Sequence, residues 1–185
     1  MAMPAEDVRR WKREAYERLA EDGYFRPDER IELVDGIIYE MPPQSVGHAV
    51  AVRLARQILG RIFPSGFDIL VQMPLALGED SEPEPDLAVV PGSPRDHLTS
   101  HPISAVLVIE VADTSLSRDR ERKAGLYARA GIPDYWILVL GANQLEVHRD
   151  PQGGTYRSKT VLKARDKISP LACLEATIAV GELLP

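Results

Sequence analysis

The 185-residue sequence holds a single cysteine, Cys173. One thiol excludes an intrachain disulfide and any zinc site built from several cysteines, and it fits a reducing compartment. Within "LACLEATIAV" it is surrounded by apolar residues, which reads as a packed thiol rather than a nucleophile. Basic charge is also scarce: 22 Lys plus Arg stand against 28 Asp plus Glu, a net charge of −6. Attraction to nucleic acid through bulk charge is thereby excluded. Any phosphate contact must use a local basic face, because such attraction is screened within about 8 Å at physiological salt. No stretch approaches the ~20 apolar residues of a membrane span. The opening "MAMPAEDVRRWKRE" turns charged at once and has no apolar signal-peptide core, so the cytoplasm is the expected location. Repeats and low-complexity linkers are lacking, as are helix-turn-helix and zinc-finger readers, and sequence-specific recognition has no visible carrier.

What remains is an ordinary globular composition, with 44% apolar and 27% charged residues. A chain of this length buries a core without staples and suits a single domain. The expected division is an N-terminal helical appendage over 1–29, a core over 30–150 and a C-terminal extension over 151–185. "AEDVRRWKREAYERLAEDG" is built of helix formers, with Val8, Trp11, Ala15 and Leu19 on one side and Gly23 as its stop. "RIELVDGIIYEM" places two alternating runs around Asp35-Gly36, a hairpin signal because both turn residues tolerate positive φ. "SVGHAVAVRLARQILGRIF" predicts a helix capped by Ser45, with Val50, Leu54 and Ile58 on its apolar face and Arg53, Arg56 and Arg61 on its polar side.

Strands dominate the middle. "FDILVQ" is one, and "LAL" begins another that leads into "GEDSEPEP". "DLAVV" and "AVLVIEVA" are near-continuous apolar runs and read as strands buried on both faces. A helix, "SRDRERKAGLYARAG", separates "AVLVIEVA" from the core strand "DYWILVL", a crossover that should make those two strands parallel. "QLEVHRD" and "TYRSKTVL" flank the turn "PQGG" as an antiparallel extension. The fold expected is a mixed α/β (α+β) one, a central mixed sheet with flanking helices, an N-terminal helix and hairpin, and a C-terminal antiparallel extension.

Two carboxylates stand out. Asp86 ends an acidic run and opens an apolar strand, whereas Glu79, Asp80, Glu82 and Glu84 read as a solvated approach. Glu110 lies inside "AVLVIEVA", where an unpaired carboxylate costs several kcal/mol or more unless it keeps its proton or meets a cation. A hard divalent cation such as Mg²⁺ takes one or two carboxylates and keeps several waters. From these two residues alone, a structural ion pair and a metal site fit equally well. On the following helix Asp119, Lys123 and Tyr127 recur at i, i+4, i+8 and share a face. A lysine there could stabilise a metal-activated water or a phosphate transition state. Taken alone, Lys123 reads as a surface partner of Asp119. Ser115 and Ser117 read as helix caps.

"PEPDLAVV", "LVIEVAD" and "RDRERKAGLYARAGIPDYWIL", with the hairpin "ELVDGIIYEM" and His48, resemble the Uma-two family of the restriction-endonuclease-like superfamily with its PD-(D/E)XK motif. The resemblance covers roughly residues 30 to 150. It implies a restriction-endonuclease-like sheet and a divalent-metal phosphodiesterase site. Pro85-Asp86 matches the PD and Glu110 the D/E. The position of the usual lysine is Ala112, and Lys123 on the next helix matches the place to which this family moves it. Arg122 competes for that role, but its guanidinium cannot act as a base. Glu32 and His48 match supporting positions, Glu32 as a further metal or water ligand; read locally, Glu32 is an exposed strand residue and His48 a helix-start residue. Glu84 is an outside metal candidate.

The expected activity is Mg²⁺- or Mn²⁺-dependent hydrolysis of a phosphodiester, in DNA, with Asp86 and Glu110 holding the metal and Lys123 stabilising the transition state. Asp119 and Tyr127 would orient Lys123 or line the entrance. "YRSKTVLKARDK", with Arg157, Lys159 and Lys163, is the candidate nucleic-acid-binding surface, or else an edge strand protected by its lysines. The alternative is a catalytically inactive nucleic-acid- or protein-binding module on the same fold. A homodimer or higher homo-oligomer would suit the cutting of both strands of a duplex.

Overall fold

The structure, a computed structural model, describes residues 8–26, 28–113 and 115–185. Its centre is a six-stranded mixed sheet in the order β3-β4-β5-β6-β7-β8. These strands are β3 (Phe67–Val71), β4 (Leu87–Pro91), β5 (Leu107–Ala112), β6 (Asp134–Val139), β7 (Gln144–Gln152) and β8 (Thr155–Lys163). β5 and β6 pair in parallel and every other pair is antiparallel. The continuous apolar runs of β5 and β6 are buried along their whole length, and β4 is buried up to its exposed last residue, Pro91. Both sheet faces are covered, as such runs require.

One face packs on α2 (Val46–Ile62), where Leu87, Val89, Ile109, Trp136 and Leu138 meet Ala51, Ala55 and Leu59. Val50 and Leu54 lie at the edge of the buried stripe, which runs through Ala51, Val52, Ala55, Ile58 and Leu59. The two alanines let the helix sit close to the sheet. Ser45 caps α2 by accepting from the His48 N–H at 3.2 Å. The other face packs Val108, Ala112 and Ile137 against Leu126 and Tyr127. The covering helix is continuous but not uniform: α3 (Leu116–Arg118) leads through a π-helical turn, Asp119–Lys123, into α4 (Ala124–Arg129). Gly131, with φ +73°, ends it as expected.

The hairpin of β1 (Ile31–Val34) and β2 (Ile37–Glu40) turns at Asp35 and Gly36, with φ +50° and +75°. A single antiparallel bridge between Leu33 and Glu82 fixes it to the segment before β4. Two short strands, β9 (Lys167–Ile168) and β10 (Ile178–Ala179), pair near the C-terminus. The main sheet runs without a break through residue 150, inside β7.

Three expectations are corrected. The first helix, α1, spans Arg13–Glu21 rather than starting near residue 5, and residues 5–7 lie outside the described residues. The Trp11 and Arg13 N–H groups donate to Gly36 O and Glu79 O, both at 2.7 Å, so the lead-in is tied to the hairpin and the acidic loop. Tyr16 is the residue α1 buries. "LAL" is not a strand. Leu75, Ala76 and Leu77 are buried, yet their N–H groups go to Pro83, Pro102 and Ser81, three separate acceptors rather than one neighbouring ladder. The acidic run is not solvated throughout: Ser81 and Glu82 are buried where that segment passes under the hairpin. Burial and the neighbouring Glu17 carboxyl push Glu82 up to about 8.

Candidate active site

β4 begins where β5 is nearing its end. The pair Leu87↔Ile109 is the last in the ladder, and one position further Asp86 comes opposite Glu110. The two side chains emerge at the floor of an open cavity of ≈ 260 Å³. Asp86 is held at both oxygens. Oδ2 accepts from the Val111 N–H at 2.8 Å and from His48 Nε2–H at 3.1 Å, and Oδ1 accepts from Gln72 Nε2 at 3.2 Å. Burial opposes its ionisation, but these bonds outweigh burial and hold its pKa below the usual aspartate value.

Glu110 is 4% exposed. Its Oε1 accepts from Lys123 Nζ at 2.9 Å and from the Tyr127 hydroxyl at 2.7 Å. Lys123, equally buried, also lies 3.0 Å from Glu32 Oε2. Glu32 is therefore not an exposed strand residue: it is 1% exposed. Its Oε2 also accepts the Glu84 N–H at 3.2 Å, and its Oε1 is buried without a partner. Burial and the carboxylates of Asp119, Asp86 and Glu32 push Glu110 up to about 8, against the pull of Lys123. Burial would neutralise Lys123, but Glu110, Glu32 and Asp119 outweigh it and keep the ammonium charged.

The π turn delivers both sides of this arrangement. Asp119 faces the cavity and accepts from the Ser115 hydroxyl, so Ser115 ties the side chain rather than capping the helix. Lys123 and Tyr127 then reach the same oxygen of Glu110. Arg122 instead lies over the Tyr39 ring, 4.3 Å from its centroid. Ala112 faces the same side as Glu110 but is packed in the apolar cluster with Ala88, Val108 and Val139. Two cavity cations, Arg30 and Arg118, and the Asp86 partner Gln72 carry no sequence signal in the pattern of their neighbours. Their roles come from chain segments that meet only on folding.

Six carboxylates line the cavity (Glu32, Glu84, Asp86, Glu110, Asp113, Asp119) against three permanent cations, Arg30, Arg118 and Lys123. The donors near Asp86 and Glu110 are hard oxygens, one buried carboxylate oxygen lacks a partner, and negative charge is in excess. Those features fit Mg²⁺ or Mn²⁺. Among the described residues no three His, Cys, Asp or Glu side chains form a preformed cage. Mg²⁺, which uses one or two carboxylates and its own waters, does not need one.

The basic segment lies elsewhere. β8 is the edge strand, three strands from β5, roughly 14 Å away at the usual strand spacing. Arg157 and Lys163 are exposed there, while Lys159 is committed to Glu146 at 2.9 Å. Glu146 is buried and also gripped by Arg120, whose Nε reaches both carboxylate oxygens at 3.1 Å. Burial would raise its pKa, but Arg120 and Lys159 bring it down to about 2. A depressed folded pKa stabilises the fold above the unfolded value of 4.5, and that stability is lost as pH falls towards 2. Glu146→Gln should lower stability at pH 7 by about 1–2 kcal/mol, because both partner cations are partly exposed and screened. In urea titrations the gap from wild type should stay constant from pH 7 to 5 and close between pH 4.5 and 2; a gap independent of pH would refute this.

The family model described as "Uma2: Putative restriction endonuclease" matches residues 13–181. No curated protein matches the chain. A solved structure that matches is described as "a putative nuclease belonging to DUF820" from Anabaena variabilis ATCC 29413. It is 14% identical, the match covers 89% of this chain and 96% of that one, and the TM-score is 0.71. At that identity the likeness shows the fold. No helix of the described residues is long and apolar enough to cross a membrane.

Proposed function

The chain belongs to the Uma2 family, and from that premise we propose that it is a divalent-metal-dependent endonuclease hydrolysing phosphodiester bonds in DNA. The observation that carries this reading is the meeting of Asp86, Glu110 and Lys123 at the floor of one cavity. Asp86 and Glu110 would hold Mg²⁺ or Mn²⁺, with Glu32 close by. Bound there, the cation would supply charge neutralisation on the scissile phosphate and acidify a water. Asp86 is kept ionised and aimed by the Val111 N–H, His48 and Gln72. Tyr127 fixes Glu110 by donating to Oε1. Lys123, held cationic between two glutamates, presents positive charge where a phosphoryl group gains negative charge in the transition state. Asp119 adds to the field that keeps Lys123 protonated. Arg157 and Lys163 on β8 would contact phosphates further along the strand, while the Lys159 ion pair with Glu146 leaves that residue a lesser part.

A catalytically inactive binding module is the second reading. It is favoured by Ala112 and by the ammonium of Lys123, which already spans Glu110 and Glu32. Incubation with supercoiled plasmid separates the two. The endonuclease nicks it with Mg²⁺ or Mn²⁺, stops on addition of EDTA and resumes when metal is restored. Equal residual nicking by wild type, Asp86→Ala and Glu110→Ala would expose a contaminant and sink the reading. Calorimetric titration with Mn²⁺ that gives no heat, or heat unchanged by Asp86→Ala, would favour the inactive module.

A further inference from the structure

A carboxylate oxygen has two lone pairs, so the bonds already made show which oxygens are still open to a cation. Glu110 Oε1 is full, because it takes both the Lys123 ammonium and the Tyr127 hydroxyl. Asp86 Oδ2 is full as well, with the Val111 N–H and His48. Glu32 Oε2 takes Lys123 and the Glu84 N–H. Glu32 Oε1 has no partner, but it is buried, out of reach of a cation that keeps its waters. Two positions are left. Among the described residues Glu110 Oε2 has no hydrogen-bond partner, and Asp86 Oδ1 keeps one lone pair beside the bond from Gln72. Both residues line the cavity.

The open oxygens suit one ion, with water completing its shell. In two-metal centres the ions lie about 3.5–4 Å apart, close enough to share a carboxylate. Here the place where a second ion would join Glu110 to Glu32 is filled. Lys123 Nζ lies 2.9 Å from Glu110 Oε1 and 3.0 Å from Glu32 Oε2, and all three residues are buried. The ammonium supplies one positive charge there and repels a dication brought beside it. Resting on the divalent-metal reading above, we infer that the centre takes a single divalent ion. Glu32 is not a ligand of that ion but a positioning residue, the counter-ion that holds Lys123 in the second ion's place.

Calorimetric titration with Mn²⁺, without DNA, counts the ions. Wild type should bind one. Lys123→Met should bind two, because it frees Glu110 Oε1 and Glu32 Oε2 together. Frozen-solution EPR should then show a coupled Mn²⁺ pair in that variant and an isolated ion in wild type. Adding Glu32→Gln to Lys123→Met should return the count to one. Lys123→Met loses a buried counter-charge and is the variant whose fold is at stake, so Glu32→Gln alone is a second test. Its amide oxygen can keep the bonds from Lys123 and the Glu84 N–H. It should still bind one ion, about 10-fold more weakly, the loss expected of a group that acts through another. Glu110→Gln puts an NH₂ group in place of Oε2 and should cost far more. Two ions bound by wild type, or a loss in Glu32→Gln as large as in Glu110→Gln, overturns the inference. Plasmid nicking keeps the two ideas apart. Metal-dependent cutting with two ions bound rejects the single ion and leaves the endonuclease intact. One ion bound without cutting of any DNA supports the inference and rejects the endonuclease, and no ion bound by wild type overturns both.

Discussion

Asp86→Asn is expected to lower metal-dependent DNA cleavage by about 10²–10³-fold, the usual effect of removing one electrostatic group from a reacting centre. The substitution keeps the shape of the side chain. The amide oxygen can still accept from the Val111 N–H and from His48, the two bonds made by Oδ2. Its new NH₂ group would face Gln72 Nε2, and Gln72 can turn its own amide to present oxygen instead. The fold should therefore lose no more than about 1 kcal/mol. What disappears is the charge that would bind the cation. The measurement is initial nicking rate at saturating Mg²⁺, alongside a urea titration of both proteins. A wild-type rate in a folded Asp86→Asn protein would remove Asp86 from the mechanism.

Lys123→Met should have the largest effect on stability, about 3–5 kcal/mol, because it leaves Glu110 and Glu32 buried without their counter-charge. Methionine fills a similar volume, so packing loss is secondary. The cause can be isolated with a second change. Glu110→Gln on top of Lys123→Met removes one of the two stranded carboxylates, and its amide can still accept from Tyr127. The double variant should be more stable than Lys123→Met alone, a coupling of the kind that residues in direct contact show. Activity should return in neither. If Glu110→Gln only adds to the damage, the loss in Lys123→Met arises from packing rather than charge.

Much of this site could be read from the chain before folding, for reasons that differ by residue. Asp86 and Glu110 are polar interruptions of apolar strands, and a buried charge among aliphatics needs a partner wherever the strand lies. The Asp35-Gly36 turn and the β5-to-β6 crossover are local rules that tertiary contacts did not override. Lys123 is harder: its i, i+4, i+8 spacing with Asp119 and Tyr127 places it on one face, but nothing local separates a site lysine from a surface ion pair, and that choice rests on the family resemblance. Glu32 and Glu82 look like ordinary surface residues of a short strand and a loop. Their burial follows from the bridge between Leu33 and Glu82, which joins segments 49 positions apart. Gln72, Arg30 and Arg118 are similar, each acquiring meaning from a neighbour far away in sequence. α1 starts later than its composition predicts because helix propensity is weak against two backbone hydrogen bonds that draw residues 11 and 13 towards the hairpin and the acidic loop.

The π turn at Asp119–Lys123 carries a consequence for how the site can change. Such a turn amounts to one residue more than an α-helix would use over the same path. Deleting a single residue there would return the turn to regular helix and leave the flanking turns in place. Deleting one from the regular helix between Lys123 and Tyr127 has no such bulge to absorb it and would turn one of them by about 100° relative to the other. Every reactive group would survive in the chain, yet Lys123 and Tyr127 would no longer reach the same oxygen of Glu110. The spacing between these positions is thus as much a component of the centre as its side chains.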